Sequence, residues 1–275
     1  MHSLFKLLQA ALITSWMTVA TANSGVFEVD LIYPRNETYT PSPLMPMVFA
    51  VQNPDMADPL GASISWSFLE GGNRSAPGSL LDGLLELSPM NVLNVSGDLD
   101  KLTLDIPGYP LLVTRYLDTF SFPDGTWNFE WSLEVYNCTS GFEDYQNALQ
   151  VTNYVTFNTS KSGKAPDLVA ATSAGTCDTA EGFAFNAISL EYNCGVLEPT
   201  QTTNPCAVTI DSAAESNLMA MATEHACSIL ERPIHPNVTC PSATPSSNTA
   251  GQSRTAAAPV LFMVLATLTT MAYFG

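Results

Sequence analysis

Thr126-Trp-Asn-Phe-Glu-Trp-Ser-Leu-Glu-Val-Tyr-Asn-Cys138 divides by parity. Trp127, Phe129, Trp131, Leu133 and Val135 fall on one side, and Thr126, Asn128, Glu130, Ser132 and Glu134 on the other. A helix would scatter these aromatics around its circumference, whereas a strand, with its period of two, lines them up. Asp124-Gly125, just before, is a turn signal. The segment reads as a half-buried strand. An aromatic row can also serve as a sugar platform, but aromatics dominate core burial, so Trp127, Phe129 and Trp131, with Trp66, are assigned to the core.

The same alternation recurs on both sides of this strand. Phe27, Val29, Leu31 and Tyr33 oppose Glu28 and Asp30 in Val26–Tyr33, which Pro34 ends, so Glu28 and Asp30 are expected on a solvated face. Met47–Gln52, Ser63–Phe68, Leu102–Ile106, Leu111–Tyr116, Val151–Phe157 and Phe183–Tyr192 add further strands. Short, half-polar strands separated by turn residues indicate a mainly β fold, an antiparallel immunoglobulin-like β-sandwich. Asn158–Thr176 is poor in large apolar residues and reads as a mobile loop.

One helix is expected, from Ser212 to about Leu230. Ser212 and Glu215 fit a capping box, Leu218, Ala222, Ala226 and Ile229 form its apolar stripe, and Pro233 lies beyond its end. Cys138, Cys177, Cys194, Cys206, Cys227 and Cys240 are an even set without close pairs, which reads as disulfides rather than a zinc site. Six cysteines allow fifteen connectivities. The preferred pairing joins Cys206, before the helix, to Cys227 on it, and lets Cys138 and Cys177 close the loop, so that disulfides staple the C-terminal helix down.

The two ends read as addresses. Residues 1–22 have a basic start, a short apolar run and Ala20-Thr21-Ala22, as in a cleaved secretory signal. Residues 259–275 form an uncharged apolar tail, preceded by small residues around Asn248; this is the pattern for replacement by a glycosylphosphatidylinositol (GPI) anchor at Asn248. That leaves an ectodomain of 23–240 and a Ser/Thr/Pro stalk with the attachment region in 241–258. Acceptor sequences for N-glycans begin at Asn36, Asn73, Asn94, Asn137, Asn158 and Asn237. The expected location is the outer face of the plasma membrane, or the cell wall, with the membrane met only through the lipid.

Charge narrows the partners. Nine Lys and Arg stand against 26 Asp and Glu, a net charge of −17. So few cations cannot build a phosphate-neutralising face, which argues against nucleic acid. Catalytic residues do not assemble either. His225 is expected on the helix and His235 beside Pro236, away from any nucleophile elbow. Ala171-Thr-Ser-Ala-Gly175 lacks the first glycine and the leading strand of such an elbow. No metal or cofactor set is readable. A pair of carboxylates could still hydrolyse a glycan, and Glu130, Glu134, Glu143 and Asp144 are the candidates.

Gly25-Val-Phe-Glu-Val-Asp-Leu-Ile-Tyr-Pro-Arg-Asn-Glu-Thr-Tyr39 and Pro46-Met-Val-Phe-Ala-Val-Gln-Asn-Pro54, with Trp127-Asn-Phe129 and Leu190-Glu-Tyr-Asn-Cys194, resemble an uncharacterised domain family of secreted, often GPI-anchored fungal proteins. The resemblance spans about Gly25 to Cys240. It implies a fungal source and the cell surface, and it carries no catalytic residues. The expected role is a structural or interaction module whose partner is a cell-wall glycan or an extracellular protein. The alternative is an acid-pair enzyme acting on wall polysaccharide.

Overall fold

The alternating segments become strands. The computed structural model describes residues 24–87, 102–104, 111–122, 124–137, 148–190, 194–228, 231–233 and 235–241. All but Pro241 belong to one structural unit ending at Cys240. The strands are β1 (Ser24–Tyr33), β2 (Thr38–Tyr39), β3 (Met45–Gln52), β4 (Ser63–Glu70), β5 (Leu80–Glu86), β6 (Leu102–Leu104), β7 (Leu111–Leu117), β8 (Gly125–Tyr136), β9 (Ala148–Thr159), β10 (Glu181–Leu190) and β11 (Cys194–Thr200). The helices are α1 (Leu168–Ala171) and α2 (Ser212–Ala226).

The fold is mainly β. One sheet runs β11-β10-β1-β3-β7-β6 and the other β2-β9-β8-β4-β5. Pairing is antiparallel except between β2 and β9. The aromatic face of β8 is the inner face of the second sheet, and Trp127, Phe129 and Trp131 are fully buried. Trp131 meets Phe49 of β3 at 5.1 Å and Phe183 of β10 at 4.9 Å between ring centroids, so rings from the two sheets interlock. Trp66 is half-buried and packs on this core.

The solvated face expected for β1 is instead a second interior. Glu28 is 3% exposed and Asp30 is fully buried. The chain after β11 supplies the cover. The Asn204 amide donates to Glu28 Oε1 at 2.5 Å, and Gln52 Nε2 reaches both Asp30 Oδ2, at 2.8 Å, and the Asn204 carbonyl, at 3.1 Å. Val208, Ile210, Ala214 and Leu218 continue the cover with buried side chains. Local alternation is blind to a layer laid down some 170 residues later, which is why β1 reads as half-exposed.

Three local expectations change. The N-cap of α2 is Asp211, whose Oδ1 accepts from the Ala214 amide at 2.8 Å, and not Ser212. Glu215 does not close a capping box; its Oε1 accepts from the Leu168 amide at 2.7 Å, at the start of α1. The 158–176 stretch is not a bare loop. It carries α1, capped by Asp167, and Gly163 passes so close to Tyr39 that a Cβ would lie 2.2 Å from its carbonyl carbon.

The disulfides also differ from the preferred pairing. Cys177 joins Cys206, and Cys227 joins Cys240. Cys227 is the C-cap of α2, so its bridge ties the helix to the chain that follows it, while Cys206 ties the cover to the turn before β10. Both bridges fit an oxidising, extracytosolic environment. Cys138 and Cys194 are left. Asn137 Oδ1 accepts from the Leu197 amide at 3.1 Å, bringing the end of β8 to β11. We expect non-reducing peptide mapping to find Cys138 linked to Cys194; a free thiol at either position would contradict this.

Candidate functional site

Where the open flank of the second sheet faces α1, the structure forms a pocket of about 440 Å³. Its floor is the end of β1, and the Tyr33–Pro34 peptide there is cis. Next, Arg35 folds back on its own strand. Its Nε donates to the Ile32 carbonyl at 2.6 Å and one Nη to the Ala171 carbonyl at 3.2 Å. The residue is 9% exposed, and burial pulls its guanidinium down from the ordinary value. Tyr39 then anchors the corner. Its hydroxyl donates to Glu37 Oε2 at 2.9 Å and accepts from the Arg35 amide at 3.0 Å.

The walls are charged but locally balanced. Lys164 Nζ lies 2.7 Å from Glu37 Oε2. Asp167 Oδ1 accepts the Ala170 amide of α1 at 2.8 Å. Glu181 Oε2 accepts from Asn153 Nδ2 at 2.7 Å, linking β10 to β9. Each of these carboxylates has one oxygen committed and keeps further lone pairs. Tyr154 stands at the rim and is 70% exposed. It shares the outer face of the second sheet with Thr152 and Thr156, opposite Glu130. That face is a lattice of hydroxyls and amides: Thr126 donates to Asn158 at 2.8 Å, Thr156 donates to Asn128 at 3.1 Å, and Ser132 bonds Thr152 at 2.7 Å.

The acids named from sequence do not meet. Glu130 is 4.0 Å from Arg74, and Glu134 accepts from the Tyr136 hydroxyl at 2.7 Å. They stand four residues apart on one strand, about 13 Å at the usual rise. That exceeds the separation at which two carboxyl groups share a glycosidic bond. Glu143 and Asp144 lie outside the described residues. Ser173 Oγ donates to the Ala170 carbonyl at 2.8 Å, in a turn with no strand before it. His225, on the helix, and His235, beside Pro236, both pack on Tyr116, at 5.8 and 5.0 Å between ring centroids. Tyr116 Oη lies 2.6 Å from His225 Nδ1, and Glu231 lies 3.4 Å from His235 Nε2. Among the described residues no group of three or more His, Cys, Asp or Glu is placed to hold a metal.

The glycan acceptors differ in access. Asn36, Asn73, Asn158 and Asn237 are exposed, and Asn137 is half-buried. Asn158 spends only its Oδ1, on Thr126, so its amide nitrogen is not used in that bond. Asn237 Nδ2 donates to both Asp118 and Ser121 at 3.1 Å, bonds that a glycan would displace. Asn94 and Asn248 lie outside the described residues, as do 1–23 and 242–275. No helix among the described residues is long and apolar enough to cross a membrane.

Sequence reading missed the pocket. One of its parts was visible: Tyr154 is an aromatic on the otherwise polar parity of β9, where a core residue would be out of phase. Arg35 gave no signal, because its distant partner, the Ala171 carbonyl, is brought to it only by the fold. A family model described as "Domain of unknown function (DUF7136)" matches residues 22–240. No curated protein matches the chain.

Proposed function

We propose that this chain, which belongs to the DUF7136 family of domains of unknown function, is an extracellular interaction module, displayed on the fungal cell surface. In this reading residues 1–22 are removed on secretion, the exposed acceptor asparagines carry glycans, and a GPI anchor at Asn248 replaces the apolar tail. The ectodomain meets a wall glycan or an extracellular protein, and an immunoglobulin-like sandwich, with its chain passing repeatedly between two sheets, serves as its scaffold.

One observation carries the choice of binding over catalysis. Each carboxylate lining the pocket already has a partner in the fold, Glu37 in Lys164, Asp167 in the start of α1, and Glu181 in Asn153. Such acids orient a ligand well but are poorly placed to exchange protons with one. The acid-pair enzyme remains the competing hypothesis, and a direct experiment separates the two. Intact cells treated with phosphatidylinositol-specific lipase should release the protein, and the released protein should be retained on insoluble β-glucan, chitin or mannan without generating reducing ends. Failure of an active lipase to release it counts against the anchor. Reducing ends that vanish in a folded Glu130→Gln or Glu143→Gln variant would favour the enzyme.

A further inference from the structure

We propose that the pocket at the β1–β2 corner seats one neutral, hydroxyl-bearing sugar ring, with Tyr154 as its stacking plate. The proposal deepens the interaction-module reading and rests on it. A volume of about 440 Å³ lies within the ordinary range for small-ligand sites, roughly 300–1,000 Å³.

The lining selects the ligand class. Arg35 and Lys164 stand among Glu37, Asp167 and Glu181. A phosphate or carboxylate would face three acids, and an ammonium would face two cations. An apolar ligand would strip water from all five charges without replacing it. A sugar hydroxyl donates to the remaining carboxylate lone pairs and accepts from guanidinium or ammonium N–H groups, so one ring can satisfy both signs. The exposed phenol ring of Tyr154 supplies the apolar surface on which the C–H face of such a ring packs, with its hydroxyl left to solvent.

Two sources can deliver that ring. One is an oligosaccharide from outside. The other is the protein's own glycan, because Asn36 is exposed, lines this same pocket and heads the acceptor sequence Asn36-Glu37-Thr38. A tethered glycan would sit there at an effective concentration of about millimolar.

The test uses the processed protein from a host that adds N-glycans, beside a Thr38→Ala variant that removes the acceptor sequence and leaves Asn36 in place. Chitotetraose, laminaritetraose and mannotetraose are titrated against both by calorimetry and saturation-transfer NMR. At least one should bind the Thr38→Ala protein. Tyr154→Ala in that background should weaken it ten-fold or more, and Tyr154→Phe should preserve it. Equal binding by the wild type identifies an external ligand; binding seen only after loss of the acceptor identifies the protein's own glycan as the occupant. No binding by the Thr38→Ala protein, or binding that Tyr154→Ala leaves unchanged, overturns the proposal. Retention on insoluble wall polysaccharide that survives Tyr154→Ala would sink the pocket assignment alone, whereas no retention by any variant would remove the wall glycan as the partner of the interaction module.

Discussion

Stability should fall as the pH rises from about 4 to about 8, and Asp30 is the reason. Its side chain is fully buried, and its pKa is pushed up from 3.8 to about 8, chiefly by burial, with Glu28 adding to the rise and Gln52 and Arg35 opposing it. Glu28 faces it two residues away on the same side of β1, Gln52 reaches it from β3, and Gly182 of β10 lies directly against its Oδ1. The unfolded chain gives up this proton near pH 4, while the native protein keeps it to about pH 8. Between those limits the native state holds more protons, so every unit of pH removes stability. The contribution is whole below pH 4 and gone above pH 8.

At about 1.4 kcal/mol per unit, the loss over the window is about 6 kcal/mol. That is a large share of the 5–15 kcal/mol that holds a typical domain together. Denaturant titrations at pH 4, 6, 7.5 and 9 read it directly. The Asp30→Asn variant isolates it, because an amide of nearly the same shape has no proton to lose. Its pH profile should be flatter than that of the wild type, and it should be the more stable protein at pH 8. Parallel profiles for the two proteins would remove Asp30 as the cause.

Trp127→Ala and Trp131→Ala should each cost about 3–5 kcal/mol, the range for deleting a buried aromatic and leaving its cavity. Both side chains are fully buried on the inner face of β8. Trp127 is stacked on Phe157 at 10° between ring planes, and Trp131 sits between Phe49 and Phe183. Their polar ends differ, and replacement by Phe should expose the difference. Trp127 Nε1 donates to Thr159 Oγ1 at 3.0 Å. Trp131 Nε1 is buried with no hydrogen-bond partner among the described residues. Trp127→Phe therefore discards a hydrogen bond, whereas Trp131→Phe discards an unmet donor and should be the milder change. Chemical denaturation of all four variants checks the order; equal costs for the two Phe variants would contradict it.

What could be read in advance follows the range of each signal. β8, β4 and β9 announce themselves because their parity pattern is written in consecutive residues. β5 escaped because Leu-Leu-Asp-Gly-Leu-Leu-Glu does not alternate: Leu80, Leu81 and Leu84 are exposed, and Gly83 is there because a Cβ would lie 2.0 Å from the Trp66 ring. β2, two residues long, carries no period at all. The disulfide partners were misassigned because pairing depends on where the cover lies, and Cys206 is drawn to Cys177 by the same segment that buries Glu28 and Asp30. The pocket was hidden for a related reason. Its charges come from the β1–β2 turn, the stretch between β9 and α1, and the start of β10, and only the folded chain brings them to one corner.

The position of β1 sets the order in which this molecule can be assembled. β1 lies between β3, its near neighbour in the chain, and β10, which leaves the ribosome roughly 150 residues later, and a closure that distant is slow to form. Until β10 arrives, one whole edge of β1 is unpaired, and Glu28 and Asp30 have neither Asn204 above them nor Gly182 beside them. The first sheet is therefore completed only after β10 and β11 have been made, roughly 150 residues or more behind β1. Cys177 and Cys206, which flank β10 and β11, can lock the closure only after it has happened. A nascent chain stalled before residue 181 should expose an open strand edge, the species for a holdase chaperone to bind and an aggregation-prone state until β10 closes it.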